Sequence, residues 1–358
     1  MARRKKIVSA PLPQRKGVDP VRLKLPVIFP QEYKVSGSVP SLADYLIARF
    51  YSHRPDYVFD LLERGEIVDD DGVPLTTHTP YPGGGSVWYY RELTVEPGVP
   101  TDLPVLYEDE WVLAIDKPHF LATTPSGMFV ANTALTLLRH ERRLPLLSPV
   151  HRLDRLTAGV LVLAKVPEAR APLQKLFQNR EISKSYEAVA PLIEGMVTGD
   201  SVEVRSHIEK QRGVLQVVQH LESRCGQLGL TVNAISTVKL ARIIEGKTSL
   251  VDSETTTSAF NPHRTHPDPQ QSLGFYELTP HTGKTHQLRA HMFSLGAPIF
   301  GDTFYPQVLD TAPDNPALPL QLLARQLSFI HPFTSEKIIL TSNRYLTLTH
   351  NVSRFPLV

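Results

Sequence analysis

The chain has 358 residues, room for two domains at roughly 150 residues each. Its apolar content of 41% and charged content of 21% are those of a globular protein. A net charge of only +2 leaves nucleic-acid affinity to local patches, one cysteine excludes a disulfide framework or a multi-cysteine zinc site, and no run of ~18 apolar residues can span a membrane.

Residues 1–25 are basic, proline-bearing and without periodicity, and read as a flexible arm. They begin Met1-Ala-Arg-Arg-Lys-Lys6 and lack the apolar stretch of a secretory signal. With the lone cysteine, this points to a cytoplasmic protein. Residues 26–98 read as a small α/β domain. Ser41 to Phe50 has apolar positions at helical spacing, and Tyr57 to Leu62 is a second helical stretch. Arg64-Gly65-Glu-Ile-Val68 follows, then Asp71-Gly72 as a hairpin signal and Val87 to Leu93 as a strand.

Residues 99–358 form the larger domain. Leu106 to Pro118 reads as strand, tight acidic turn and strand, stopped by the proline. Thr133 to Arg143 is a helix with a basic end. The turn His151-Arg152-Leu153-Asp154 then leads into Gly159-Val-Leu-Val-Leu-Ala-Lys165, an apolar run suited to a strand buried on both faces. Glu168 to Arg180 is an amphipathic helix, Ser185 to Ala190 a strand, and several strands lie between Ser201 and Ile244. Residues 246–272 are polar and read as an insertion loop. Phe275 to Thr279 is a strand, and Thr285 to Leu295 a helix stopped by Gly296. Strands outnumber helices without a βαβ rhythm, so the fold class is α+β with a mainly antiparallel mixed sheet and flanking helices.

Asp154 is the most informative residue. A carboxylate set against a buried strand is costly unless a cation pairs with it, and that cost marks a site more often than a scaffold. The bland alternative is an aspartate that caps the turn with help from Thr157. His151 to Lys165 resembles the signature of the RluA-type pseudouridine synthases. Three more segments agree in family order: the Tyr107-Glu-Asp…Asp116-Lys-Pro118 hairpin, Lys184-Ser-Tyr-Glu-Ala188, and Thr282-Gly-Lys-Thr-His-Gln-Leu-Arg-Ala-His291 with Gly301-Asp302. The 26–98 segment resembles the small S-four type RNA-binding module often fused to RNA-modifying enzymes, with Gly83-Gly84-Gly85 where that module usually carries Gly-Asp.

The resemblance implies a central RNA-binding cleft and the isomerisation of uridine to pseudouridine, in large-subunit ribosomal RNA or alternatively transfer RNA. It implies that Asp154 attacks the uridine, that Tyr186 stacks on the extruded uracil or acts as a base, and that Arg289 pairs with Asp154. Arg152, Lys184, Lys165, His286 and Gln287 are the implied substrate contacts. The chemistry fits the residue types without the name. The C1′–N1 bond breaks and a C1′–C5 bond forms, nothing is oxidised, and neither cofactor nor metal is needed, because a carboxylate nucleophile suffices. A flipped base costs a few kcal/mol, part of which an aromatic platform returns.

Taken alone, Tyr186 reads as strand packing, Arg289 as a snorkelling helix-edge arginine and Lys184 as a solvated charge. Gly283-Lys284-Thr285 imitates a P-loop ending, but Leu278 occupies the required glycine position. His281, His286 and His291 are spaced by five, about 140° per step on a helix, and so do not share a face. Leu323 stands where the family usually has histidine, and Ala158 where it often has serine. Two rival functions remain: a non-catalytic RNA-binding or ribosome-assembly factor on the same scaffold, and a glycosidase, which would need a second carboxylate that the motifs do not mark. A monomer is the default expectation.

Overall fold

The computed structural model describes residues 10–34, 40–91, 95–245, 272–309 and 314–349. The chain divides into two compact units, Met1–Glu96 with Arg139–Pro145, and Pro97–Leu138 with Leu146–Val358. The first unit contains β1 (Val21–Lys24), α1 (Leu42–Phe50), α2 (Pro55–Glu63) and β2 (Ser86–Tyr89). Ser41 and Asp44 close a capping box at the start of α1, each side chain accepting the other's backbone N–H. Leu42, Leu46, Val58, Leu61 and Ile67 build its core with Val87 and Tyr89.

Two details of this unit differ from expectation. Val21–Lys24 pairs antiparallel with Ser86–Tyr89, so this part of the expected arm is a strand whose side chains alternate in burial. Residues 1–9 of that arm lie outside the described residues. The Asp71-Gly72 turn is real, with the Asp69 carboxylate accepting the Asp71 and Val73 N–H groups, but it joins only isolated bridges at Val68.

The second unit is built on one 11-stranded sheet. Its elements are β3 (Val105–Glu108), β4 (Val112–Lys117), α3 (Ala134–Glu141, whose last three residues fall in the first unit), β5 (Ser148–Pro149), β6 (Ala158–Ala164), α4 (Pro167–Gln178), β7 (Ser183–Pro191), β8 (Ser201–Glu209), β9 (Val218–Leu221), α5 (Glu222–Cys225), β10 (Ala234–Ile244), β11 (Leu273–Pro280), α6 (Gln287–Ser294), β12 (Leu322–Ile330) and β13 (Lys337–Thr341). The sheet runs β3-β4-β6-β12-β7-β11-β10-β8-β9, with β13 on β12 and β5 on β6. Among these pairs only β12–β6 is parallel, which gives the α+β, mainly antiparallel arrangement. The 246–272 insertion lies outside the described residues up to residue 271. Among the described residues no helix is long and apolar enough to cross a membrane.

Asp109 makes the β3–β4 hairpin by accepting the Trp111 and Val112 N–H groups. All seven residues of β6 are buried, and each of its larger side chains contributes about 1.5–3 kcal/mol by leaving water. α4 covers β4 and β6 through Ala169, Leu173 and Leu176. α6 covers β10 and β11 through Leu288 and Met292.

Gly159 positions the site. Its φ is +113°, and a Cβ there would lie 2.2 Å from the Ala324 carbonyl oxygen of β12. Only glycine lets the parallel strand approach this closely just after the Asp154 turn. Leu323 pairs with Ala158 at the same place and is wholly buried, so the residue that departs from the family pattern fills core space.

Candidate active site

Asp154 stands in the turn before β6, and its own carbonyl accepts the Thr157 N–H at 3.1 Å. The turn is therefore closed by backbone, and the carboxylate is left for other partners. It faces a cleft of about 1080 Å³ with a side-chain exposure of 24%. Arg152, Asp154, Lys184, Tyr186, His286, Gln287 and Arg289 all line this cleft. Seven of the eight residues singled out in the sequence thus converge, and Lys165 does not.

α6 brings in the counter-charge. The helix is buried on nearly all sides although it carries Gln287, Arg289 and His291. Each of these polar side chains has an internal partner, as burial demands. Arg289, 2% exposed, donates Nε to Asp302 Oδ2 at 2.7 Å and Nη2 to Asp302 Oδ1 at 2.6 Å. Its remaining nitrogen, Nη1, reaches Asp154 Oδ2 at 3.3 Å. The guanidinium also lies over the rings of Phe304 and Tyr305, 5.0 and 5.6 Å from their centroids. A snorkelling arginine is excluded by this geometry. Asp302 is the residue sequence reasoning left without a role. Wholly buried, it fixes the guanidinium as a two-pronged fork and is itself held by the Phe304 and Tyr305 N–H groups. The Gly301-Asp302 pair was visible in the motif, but nothing in one dimension joins it to Arg289.

The electrostatics follow. Burial on its own would raise the Asp154 carboxyl. The Arg289 guanidinium, by its charge and its hydrogen bond, outweighs it with help from Arg152 and holds the carboxyl below the usual carboxylate range. Asp154 is consequently ionised at neutral pH in a largely desolvated place. His286 sits 3.9 Å from Asp154 Oδ2 with φ +52°. Burial lowers its imidazole to about 4, partly offset by the Asp154 charge, so it faces the carboxylate as a neutral ring. Tyr186 on β7 lies opposite Leu278 of β11 and Ala324 of β12. Burial and the Asp154 charge both push its phenol up. That holds the proton on the oxygen and favours a stacking platform over a resting base. Lys184, two residues earlier on the same face, donates to the Thr282 carbonyl at 3.2 Å. Burial and the Arg180 charge lower it.

Several expectations need correcting. Lys165 lies at the far end of β6, where it pairs with Glu108 at 2.9 Å and donates to the Asp109 carbonyl. It therefore ties β6 to the β3–β4 hairpin and is not in the cleft. Gln287 lines the cleft, yet its amide is fully engaged. Nε2 donates to the Ile235 carbonyl and Ser236 Oγ, and Oε1 accepts Thr282 Oγ1 and the Lys284 N–H. It locks the 282–287 loop onto β10 and has no donor left for a substrate. The three histidines, in contrast, diverge as their spacing implies: His281 bonds Thr237, His286 faces Asp154 and His291 bonds Ser206. The helix begins at Gln287, not at Thr285, because His286 adopts the left-handed conformation at its start.

His151 has a structural task. Its Nε2 accepts the Val162 N–H at 3.1 Å, and its ring stacks on Phe177 at 4.6 Å. Burial lowers it to about 3, which keeps that nitrogen free to accept. The cleft walls also carry Arg180 and Lys284, cations not anticipated from the sequence. With Arg152 and Lys184 they give the cleft a positive lining suited to a phosphate backbone.

A family model described as RNA pseudouridylate synthase matches residues 111–294. An uncharacterized RNA pseudouridine synthase of Synechocystis is 29% identical over 307 residues, 84% of this chain and 93% of that protein. A dual-specificity RNA pseudouridine synthase RluA of Salmonella typhi is 30% identical over 237 residues, 64% of this chain and 88% of that protein. A mitochondrial tRNA pseudouridine(32) synthase of Saccharomyces cerevisiae is 26% identical over 266 residues, 74% of this chain but only 50% of that protein.

Proposed function

Because the chain belongs to the RNA pseudouridylate synthase family, isomerases that convert uridine to pseudouridine in RNA, we propose that Asp154 is the nucleophile of that reaction. The observation that carries this reading is the ionised carboxylate, partly exposed to the cleft and held 3.3 Å from a guanidinium that a second, buried carboxylate fixes in place. In this reading the carboxylate attacks C1′ of the flipped uridine and the uracil leaves with the electron pair of the C1′–N1 bond. The base turns, C5 attacks C1′, and the carboxylate departs as it came. The C5 proton is then lost and N1 gains one, so the sum is an isomerisation.

Arg289 sets the angle of the nucleophile and offsets its charge. Tyr186 offers its face to the extruded uracil, and Arg152 with Lys184 meets the phosphates that flank the flipped nucleotide. His286, neutral beside the carboxylate, can accept or pass a hydrogen bond without adding a competing charge.

For the target we propose large-subunit ribosomal RNA. Transfer RNA is the second reading, supported by relatives named as tRNA pseudouridine synthases in Vibrio vulnificus and Saccharomyces cerevisiae. Mapping pseudouridine across ribosomal and transfer RNA from cells with and without the gene separates the two. A uridine that loses its modification in large-subunit ribosomal RNA supports the first, one lost in transfer RNA supports the second, and no lost site in either overturns both.

A further inference from the structure

Three side chains from one loop hold the backbone on either side of Asp154. That loop leaves β4 at its last residue, Lys117, and runs to Thr123. Thr123 Oγ1 donates to the Leu153 carbonyl at 2.7 Å and accepts the Leu153 N–H at 3.2 Å. Lys117, wholly buried, donates Nζ to the Arg155 carbonyl at 3.3 Å and to the Pro118 and Leu121 carbonyls at 2.9 and 2.8 Å. His119 Nδ1 lies 2.6 Å from the Leu156 carbonyl oxygen. A carbonyl can only accept, so Nδ1 carries the proton. The Asp154 carbonyl is taken by Thr157 N–H. Each of the four carbonyls from 153 to 156 therefore has a fixed donor, and three of those donors are side chains of one seven-residue segment, the end of β4 and the loop after it.

None of these three side chains lines the cleft. What they fix is the peptide frame from which the Asp154 side chain projects. We propose that His119 is a positioning residue for Asp154, acting through its Nδ1–H bond to the Leu156 carbonyl. This inference deepens the reading of Asp154 as nucleophile and rests on it. Phe120, the next residue, has φ +65° and packs in the same apolar cluster as Leu156 and Tyr186, so the loop meets the turn by packing as well as by hydrogen bonds. Lys117 shares the task, but its removal would leave buried carbonyls unpaired and threaten the fold. His119 makes one bond from a half-buried position, which makes it the donor that can be removed cleanly. Burial lowers its ring to about 4. Protonation would add a proton at Nε2 and leave Nδ1–H in place, so acid does not break this bond.

The alternative is that His119 merely satisfies a carbonyl. A misplacement of about 1 Å in a reacting group can cost up to ~100-fold in rate, whereas a purely structural bond changes melting and leaves turnover alone. The experiment uses the full chain and pooled unmodified transcripts of large-subunit ribosomal and transfer RNA, tritiated at uridine C5. Single-turnover tritium release, RNA binding and melting temperature are measured for His119→Phe, His119→Asn and Asp154→Asn. His119→Phe keeps an aromatic ring and removes the donor; its rate is expected to fall about 10–100-fold with RNA affinity unchanged. His119→Asn places an amide N–H near the same point and should return to within about 3-fold of the parent. A Phe variant with parental turnover, or an Asn variant that loses as much as the Phe variant, overturns the inference. If the Phe variant does not fold, the Asn variant decides: a fall beyond about 10-fold at retained melting temperature overturns it. Inactive Asp154→Asn with fully active His119→Phe overturns this inference alone. Active Asp154→Asn overturns the nucleophile reading and this inference with it.

Discussion

Replacing Arg289 with lysine separates the two jobs of the guanidinium while keeping its charge. In the parent, Nε and Nη2 grip Asp302 at 2.7 and 2.6 Å while Nη1 reaches Asp154 at 3.3 Å. A lysine ammonium is one point and cannot span both carboxylates. Asp302 is wholly buried and Asp154 is 24% exposed, so the ammonium will settle on Asp302, where an unpaired charge is dearest. Asp154 then loses its nearest cation. At 3.3 Å and an effective dielectric of ~20, the lost attraction has a ceiling of about 5 kcal/mol. Charged hydrogen bonds are worth a net of about 1.5–3 kcal/mol, which equals about 1–2 pH units at ~1.36 kcal/mol each. The parent carboxyl titrates below the usual range. The variant should therefore show an acid limb in its single-turnover rate, shifted up by about 1–2 units into the region where the parent is still flat. At neutral pH the rate should fall about 10–100-fold through misorientation. Circular dichroism establishes that the variant is folded. A folded variant with the parental rate and the parental acid limb would refute the reasoning.

Tyr186→Leu should lose a stacking contribution of about 1–3 kcal/mol, or roughly 5–150-fold in single-turnover rate, whereas Tyr186→Phe should stay within about 10-fold; equal losses in the two variants would point to the hydroxyl instead. Acid should weaken folding through the buried histidines. His291, wholly buried and lowered to about 4 by burial, stays neutral in the folded chain while the unfolded chain takes up protons below its ordinary value near 6.5. Stability should therefore be intact above that value and fall as pH drops, by up to about 2 kcal/mol for this residue between pH 7 and 5. Denaturant titrations of the parent and His291→Gln, which should lack this slope component, check it. Gly159→Ala must move β12 away from a Cβ at 2.2 Å from the Ala324 oxygen, and a loss of more than about 3 kcal/mol is expected; a parental melting temperature would contradict the close packing.

The elements with clear periodicity or punctuation were legible in the sequence. The buried Val-Leu run became β6, and the helical spacing between Ser41 and Phe50 became α1, because burial on both faces and helical periodicity are local properties. Asp154, Tyr186 and Arg289 were reached through motif order, and the cleft brings them together. What sequence could not show was the partner of each charge. Asp302 and Arg289 are 13 residues apart on different elements, and Lys117 lies 38 residues from the carbonyl it holds. A lysine in a sequence looks the same whether solvated or wholly buried. Lys165 was misplaced for a geometric reason. It stands just past a strand of seven residues, which at ~3.3 Å per residue carries the chain over 20 Å from Asp154. Arg289 read as a helix-edge residue because α6 is short and enclosed, so its polar side chains point inward. The strand order, with β12 between β6 and β7, depends on contacts far apart in the chain and has no local signature.

The most direct test of the central claim is the chemical step of Asp154→Asn under single turnover. The substitution keeps the side-chain shape and removes the nucleophilic charge. Folded protein that binds RNA with parental affinity and releases no tritium from uridine C5 is the predicted result. Isomerisation at the parental rate by that variant would contradict it.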